Sequence, residues 1–124
     1  MTRISFPEEK RRYPRAQIRL PVVFDTAQQL LTGETINIGA DGVFISCKDP
    51  LRENQIFNLA IIDVPLLNCR LVATARVIWS NVHPPTVGFL PKGMGVQFIR
   101  ISEEEQKYLS VAVSEHLRIE NQEL

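Results

Sequence analysis

At Ser102 the apolar pattern of this chain changes its period, and that change divides the sequence into two kinds of structure. Ahead of Ser102, apolar and polar residues alternate in short runs, the two-residue repeat of a half-buried strand. Arg70–Ser80 is the longest of these runs. Leu71, Ala73, Ala75, Val77 and Trp79 share one face of it, and Thr74, Arg76 and Ser80 the other. Five further strands are predicted at Gln17–Phe24, Gly33–Ile38, Gly42–Ser46, Phe57–Asp63 and Gly95–Ile101. In the first, Ile18, Leu20, Val22 and Phe24 face one way, and Pro21 marks an exposed edge or a bulge.

After Ser102 the spacing becomes helical. Ser102-Glu103-Glu104-Glu105 is a capping box, with Ser102 as N-cap and Glu105 at the third helical position. The three glutamates also suit the positive end of the helix dipole. Tyr108, Leu109, Ala112, Val113, His116 and Leu117 form a single apolar stripe, and the helix is predicted to end near Leu117 to Ile119.

Six short strands and one amphipathic helix imply a mainly β fold: an antiparallel barrel or a strongly curved sheet capped by the helix. A chain of 124 residues that is 44% hydrophobic supports one core. The domain is expected over residues 10–118, behind a flexible leader at 1–9 and ahead of a frayed tail at 119–124. No apolar run approaches membrane-spanning length, and the charged, proline-containing start is no signal peptide. A cytoplasmic protein without membrane insertion is expected. Cys47 and Cys69 then form no disulfide framework, and they lack partners at zinc spacing. His83 and His116 show neither metal-ligand spacing nor a nucleophile partner. With no nucleophile–base pair, metal cluster or cofactor loop, neither an enzyme nor a bound cofactor is expected.

The charge is polarised. The formal net charge is zero, yet residues 1–19 carry six cations against two glutamates, and residues 102–124 carry six glutamates against two cations. The basic head is concentrated in Lys10-Arg11-Arg12-Tyr13-Pro14-Arg15, where proline disfavours helix and favours an extended arm. Arginine forks onto phosphate or a guanine edge and stacks on flat rings. Zero overall charge argues against bulk nucleic-acid binding, which needs a broad positive face. The aromatic residues Phe24, Phe44, Phe57, Phe98 and Trp79 also fall in core-like patterns, and not along a groove. Further along, Asn37-Ile38-Gly39-Ala40-Asp41-Gly42 joins two predicted strands; on its own it reads as a hairpin turn fixed by positive-φ glycines.

Arg11 and Arg15, an Arg-x-x-x-Arg pair, precede the first strand, and Asn37 to Gly42, an Asn-x-Gly-x-x-Gly turn, joins the second and third. This arrangement resembles the PilZ domain family of bacterial receptors for cyclic di-GMP. The likeness continues through Val77-Ile78-Trp79, Gly93-Met94-Gly95-Val96-Gln97-Phe98 and the Ser-Glu-Glu-Glu helix start, and it covers roughly residues 10 to 118. The resemblance implies a six-stranded antiparallel barrel of the split-barrel type with one C-terminal helix. It implies cyclic di-GMP as ligand, with Lys10, Arg11, Arg12, Arg15, Asn37, Gly39 and Gly42 at the site and Trp79 at its margin. Arg11 and Arg15 would take phosphate and guanine, Asn37 a guanine edge, and the glycines a close backbone approach.

The family's serine is Gly39 here, which removes one hydrogen bond, about 1 kcal/mol or roughly a five-fold weakening. Lys10, in the family's position that influences ligand number, fits a stacked pair of ligands. Arg12 is either a further phosphate or base contact or a solvated side chain. Trp79 is either core, as its face with Val77 indicates, or a ring and indole N–H lent to the site. The functional expectation is a cyclic di-GMP receptor, a monomer or weak dimer, whose arm orders on the ligand and signals to a separate output protein. The alternative is a PilZ-like adaptor that binds proteins and has lost the nucleotide, with Gly39 as its support.

Overall fold

β3 spans Leu30–Gly39 and is the strand on which the ring of strands closes. The structure, a computed structural model, describes residues 14–62, 70–81 and 92–122. Lys10, Arg11, Arg12, the leader at 1–9, Cys69 and His83 lie outside the described residues. In chain order the other strands are β1 (Arg15–Ala16), β2 (Pro21–Asp25), β4 (Gly42–Cys47), β5 (Ile56–Ile61), β6 (Leu71–Asn81) and β7 (Gly93–Arg100), followed by helix α1 (Glu103–Gln122). Pairing runs β3-β2-β5-β6-β7-β4 and returns to β3, antiparallel at every step. The expected six-stranded antiparallel barrel with a C-terminal helix is what forms. Closure matters physically because it leaves these six strands no unpaired edge.

β1 carries no periodicity and is absent from the sequence reading. It pairs with β3 as Arg15↔Gly39 and Ala16↔Ile38, on the edge that β2 occupies further along. The predicted strand Gln17–Phe24 therefore begins only at Pro21, because Gln17–Leu20 crosses the gap between β1 and β2. Thr35 closes that gap from inside the barrel. Its buried hydroxyl donates to Ile18 O at 2.6 Å and accepts from Leu20 N at 2.7 Å, while its own N–H donates to Leu20 O at 2.8 Å. A buried hydroxyl fully satisfied in this way costs nothing in desolvation and fixes the arm's exit from the barrel.

The core forms from the inward positions of the six strands, and Leu109 and Val113 of α1 join it from one side. Phe24 and Phe57 meet edge-to-face, ring centroids 5.7 Å apart. Cys47 is a small buried residue, and burial, followed by the neighbouring Asp49 charge, pushes its thiol up to about 11. α1 lies against β1 and β3, and the Gln106 side-chain amide donates to Ala40 O at 3.1 Å. The helix thus anchors the turn that leads from β3 into β4.

Ser102 caps α1 as predicted: Glu105 N donates to Ser102 Oγ at 3.0 Å. The reciprocal half differs from a standard capping box. Glu105 Oε1 accepts from the Ser102 hydroxyl at 2.9 Å, and Oε2 accepts from Val72 N of β6 at 3.0 Å. The cap therefore also fastens the helix to the barrel. α1 runs on to Gln122, past the end expected near Leu117 to Ile119. Arg118 with Glu115 (2.6 Å) and His116 with Glu120 (3.0 Å) bridge the added turn. Among the described residues no helix is long and apolar enough to cross a membrane.

Ser102→Ala removes the cap and the hydroxyl that orients Glu105 on Val72. Urea unfolding of this variant is expected to show a loss of about 1–2 kcal/mol. A midpoint equal to wild type would show that the cap does not tie helix to barrel.

Candidate functional site

Two β-bulges decide what the outer wall of the barrel presents. In β3, Thr35 pairs with Ile45 and Asn37 with Phe44, so Ile36 is an extra residue. In β6, Val77 pairs with Val96 and Trp79 with Gly95, so Ile78 is extra. Each extra residue reverses the alternation beyond it. Thr35 and Ile38 consequently both face inward and Asn37 faces out. Val77 is fully buried, whereas Trp79 stands 39% exposed on the outside. The core assignment of Trp79, drawn from its shared face with Val77, is thus overturned by the bulge at Ile78.

Opposed residues of an antiparallel pair share a face. Asn37 lies opposite Phe44, Phe44 opposite Gly95, and Gly95 opposite Trp79. These four residues form one line across the outside of β3, β4, β7 and β6. The Phe44 and Trp79 rings stack above Gly95, centroids 5.2 Å apart and 11° from parallel. Gly95 is needed for this. A Cβ there would collide with Trp79 Nε1 and come within 2.9 Å of Trp79 Cδ1. Phe44 is buried, yet it belongs to this outer stack and not to the core cluster inside the barrel.

The arm and the turn meet beside this line. β1 brings Arg15 opposite Gly39, and a Cβ on Gly39 would lie 2.8 Å from Arg15 Cγ, 3.0 Å from Pro14 O and 3.2 Å from Asp41 Oδ1. The expected hairpin of β3 and β4 forms, but neither Gly39 nor Gly42 adopts left-handed backbone in it. Both glycines serve close approach instead. At Gly39 the neighbour is the arm itself, and any side chain in that place competes with Arg15 for space. At Gly42 a Cβ would collide with Val96 O, so this glycine holds β4 against β7.

Arg15, Asp41, Ile78, Trp79, Gly95 and Gln97 line a groove of about 360 Å³. Two buried oxygens flank Gly39 without a hydrogen-bond partner among the described residues, Asn37 Oδ1 and Asp41 Oδ1. Buried acceptors are ordinarily paired, and an orphan beside a groove marks a place for a donor. The position of residues 40 and 41 is fixed by their carbonyls: Ala40 O accepts from Gln106, and Asp41 O accepts from Phe98 N at 2.8 Å. No group of three or more His, Cys, Asp and Glu able to hold a metal occurs among the described residues.

Of the residues expected at the site, Arg15, Asn37, Gly39 and Trp79 come together on this wall, and Gly42 lies at the strand pairing beside it. Lys10, Arg11 and Arg12 lie outside the described residues. Sequence reasoning missed Phe44, Asp41 and Gln97. Phe44 had a signal: Val43-Phe44-Ile45 is an unbroken apolar run, which in a strand means that both faces are covered.

A family model for the PilZ domain matches residues 9–114. No curated protein sequence matches the chain. Among solved structures, the Bacillus subtilis inhibitor of motility (MotI/DgrA) superposes with a TM-score of 0.74 at 19% identity, over 89% of this chain and 52% of that one. YcgR from Escherichia coli in complex with c-di-GMP gives 0.71 at 13% identity, over 92% of this chain and 49% of that one. The PilZ domain of YcgR with c-di-GMP gives 0.65 at 12% identity, over 93% of this chain and 99% of that one. This chain spans about half the length of the first two and nearly all of the third. At such identities the likeness is one of fold.

Gly95→Ala should displace the indole from Phe44. Trp79 is the sole tryptophan, so its emission reports the displacement directly. A red-shifted spectrum with the fold retained by circular dichroism is expected. An unchanged spectrum would show that the stack does not depend on Gly95.

Proposed function

This chain belongs to the PilZ domain family, and from that premise we propose that it is a receptor for cyclic di-GMP. The observation that carries the reading is the outer wall itself. Arg15 of β1 and the exposed indole of Trp79 line one groove, and the Asn37 carboxamide of β3 lies on the same outer line of residues as Trp79. That is the complement of a compact dianion with two purine faces. Arg15 supplies charge and a fork for phosphate or guanine O6/N7. Asn37 supplies an acceptor for guanine N–H. Trp79, held flat by Phe44, supplies a stacking surface, worth about 1–3 kcal/mol for a base. YcgR, of similar fold, is bound to c-di-GMP in its solved complexes.

Arg11 and Arg12 would complete the site from the arm side, and Lys10 would favour a stacked pair of ligands. β1 already holds Arg15 on β3, so ordering on the ligand concerns the arginines ahead of Pro14. Fastening them over the groove changes the charge and shape of this wall, and a separate output protein reads the change. The function is recognition and not catalysis.

One observation favours the alternative of a protein-binding adaptor. The place of the motif serine is filled from outside by Arg15 and Pro14. A serine hydroxyl is therefore not merely missing; the arm sits where it would stand.

Isothermal titration with cyclic di-GMP, with GMP as control, separates the two. Saturable binding at micromolar or lower Kd is expected, and its stoichiometry tests the role of Lys10. Arg15→Ala should weaken binding by about 10- to 100-fold, the loss of one charge-assisted contact, with Tm moved by no more than about 3 °C. Wild-type protein that shows neither heat nor NMR shifts with the ligand would leave the adaptor as the function.

A further inference from the structure

We propose that Asp41 selects guanine, its carboxylate accepting hydrogen bonds from the N1–H and N2–H2 edge of one base of the bound dinucleotide. The proposal rests on the cyclic di-GMP reading above. It adds a specificity residue at the variable position of the Asn-x-Gly-x-x-Gly turn, just ahead of Gly42.

Asp41 lines the groove with Arg15 and Trp79, and its Oδ1 is buried without a hydrogen-bond partner among the described residues. The ordinary reason for an aspartate in a turn is that its side chain accepts a nearby backbone N–H. Oδ1 accepts none here. Its main chain is already fixed, through Phe98 N on Asp41 O and Gln106 on Ala40 O, so the carboxylate is not needed to hold the turn. A metal is not the reason either, as no cluster of ligands surrounds it among the described residues.

The chemistry of the acceptor then narrows its partner. An ionised carboxylate only accepts. It repels a phosphate and the N1 lone pair of adenine, and it suits a pair of adjacent N–H donors. Guanine offers such a pair on its Watson–Crick edge. Asn37 Oδ1, the second orphan acceptor, stands two residues before Gly39 as Asp41 stands two residues after it. The turn therefore presents acceptors on both sides of the point where Gly39 has no side chain. A site built around buried hydrogen bonds rejects an analogue that leaves them unmade far better than an apolar pocket does.

The test is the affinity of wild type, Asp41→Asn and Asp41→Ala for cyclic di-GMP and for cyclic di-AMP, each variant checked for fold by circular dichroism. The bond that fixes residue 41 is made by its backbone, and both variants retain it. Both are expected to weaken cyclic di-GMP by about tenfold or more and to leave cyclic di-AMP unchanged or tighter, so that guanine preference falls at least tenfold. Equal weakening of both ligands would overturn the proposal and make Asp41 a residue that positions the arm. Tighter cyclic di-GMP binding would also overturn it, showing that the charge merely opposes the phosphates. Wild-type protein that binds no cyclic di-GMP would overturn the underlying reading, and this proposal with it.

Discussion

The pairing of β3 with three other strands is the constraint on which the rest of the structure depends. β3 closes the barrel against β4, continues the sheet into β2, and carries β1 on the end that β2 leaves uncovered. Thr35 sits where those responsibilities meet and satisfies the backbone of the crossing segment from the inside. One residue later the bulge at Ile36 turns the strand over. Were Ile36 paired as an ordinary strand residue, Ile38 would point at solvent and Asn37 into the core, burying an amide among apolar side chains at a cost of about 1–3 kcal/mol. The bulge therefore lets one strand give Ile38 to the core and Asn37 to the outer wall.

β6 solves the same problem on the far side of the groove. Its bulge at Ile78 takes a tryptophan out of the core and lays it on the outside, where Gly95 leaves room and Phe44 supplies a floor. Between β3 and β6 run β4 and β7, and β7 carries its own extra residue, Ile99, only beyond the wall. The outcome is a continuous wall of paired strands with one carboxamide and one indole facing out at either end. Site residues on strands are held more accurately than residues on loops, which favours a preorganised surface over one assembled by the ligand. Gly39 sets how closely Pro14 and Arg15 approach this wall.

Much of this was legible in the sequence, and the failures have specific causes. The two-residue period located β2, β5 and β6, short apolar runs located the other barrel strands, and Ser102 with Glu105 located the start of the helix, because these signals repeat or are stereochemically narrow. β1 was not legible, since two residues hold no period. The bulges were not legible as such, because a single inserted residue leaves composition unchanged and only reverses a face. Ile78-Trp79, two large apolar neighbours inside an alternating run, was the one trace of the second bulge. Glycines in such a turn ordinarily signal positive φ, whereas here both serve contact: Gly39 with the arm and Gly42 with β7. Asp41 was not legible as more than a turn residue, because the burial of its unpartnered Oδ1 has no trace in the sequence.

The central claim is that the wall between the arm and Trp79 is where an anionic dinucleotide binds. The most direct measurement is a ¹H–¹⁵N NMR titration of the protein with cyclic di-GMP, following the Trp79 indole N–H, the Asn37 side-chain amide and the Arg15 backbone amide. The account predicts that these three signals shift together and saturate at one ligand concentration, while the signals of Leu30 and Val72, on the outer face of β3 and β6 away from the groove, stay in place. Shifts confined to other faces of the barrel, or none at a concentration that saturates a micromolar site, would contradict it.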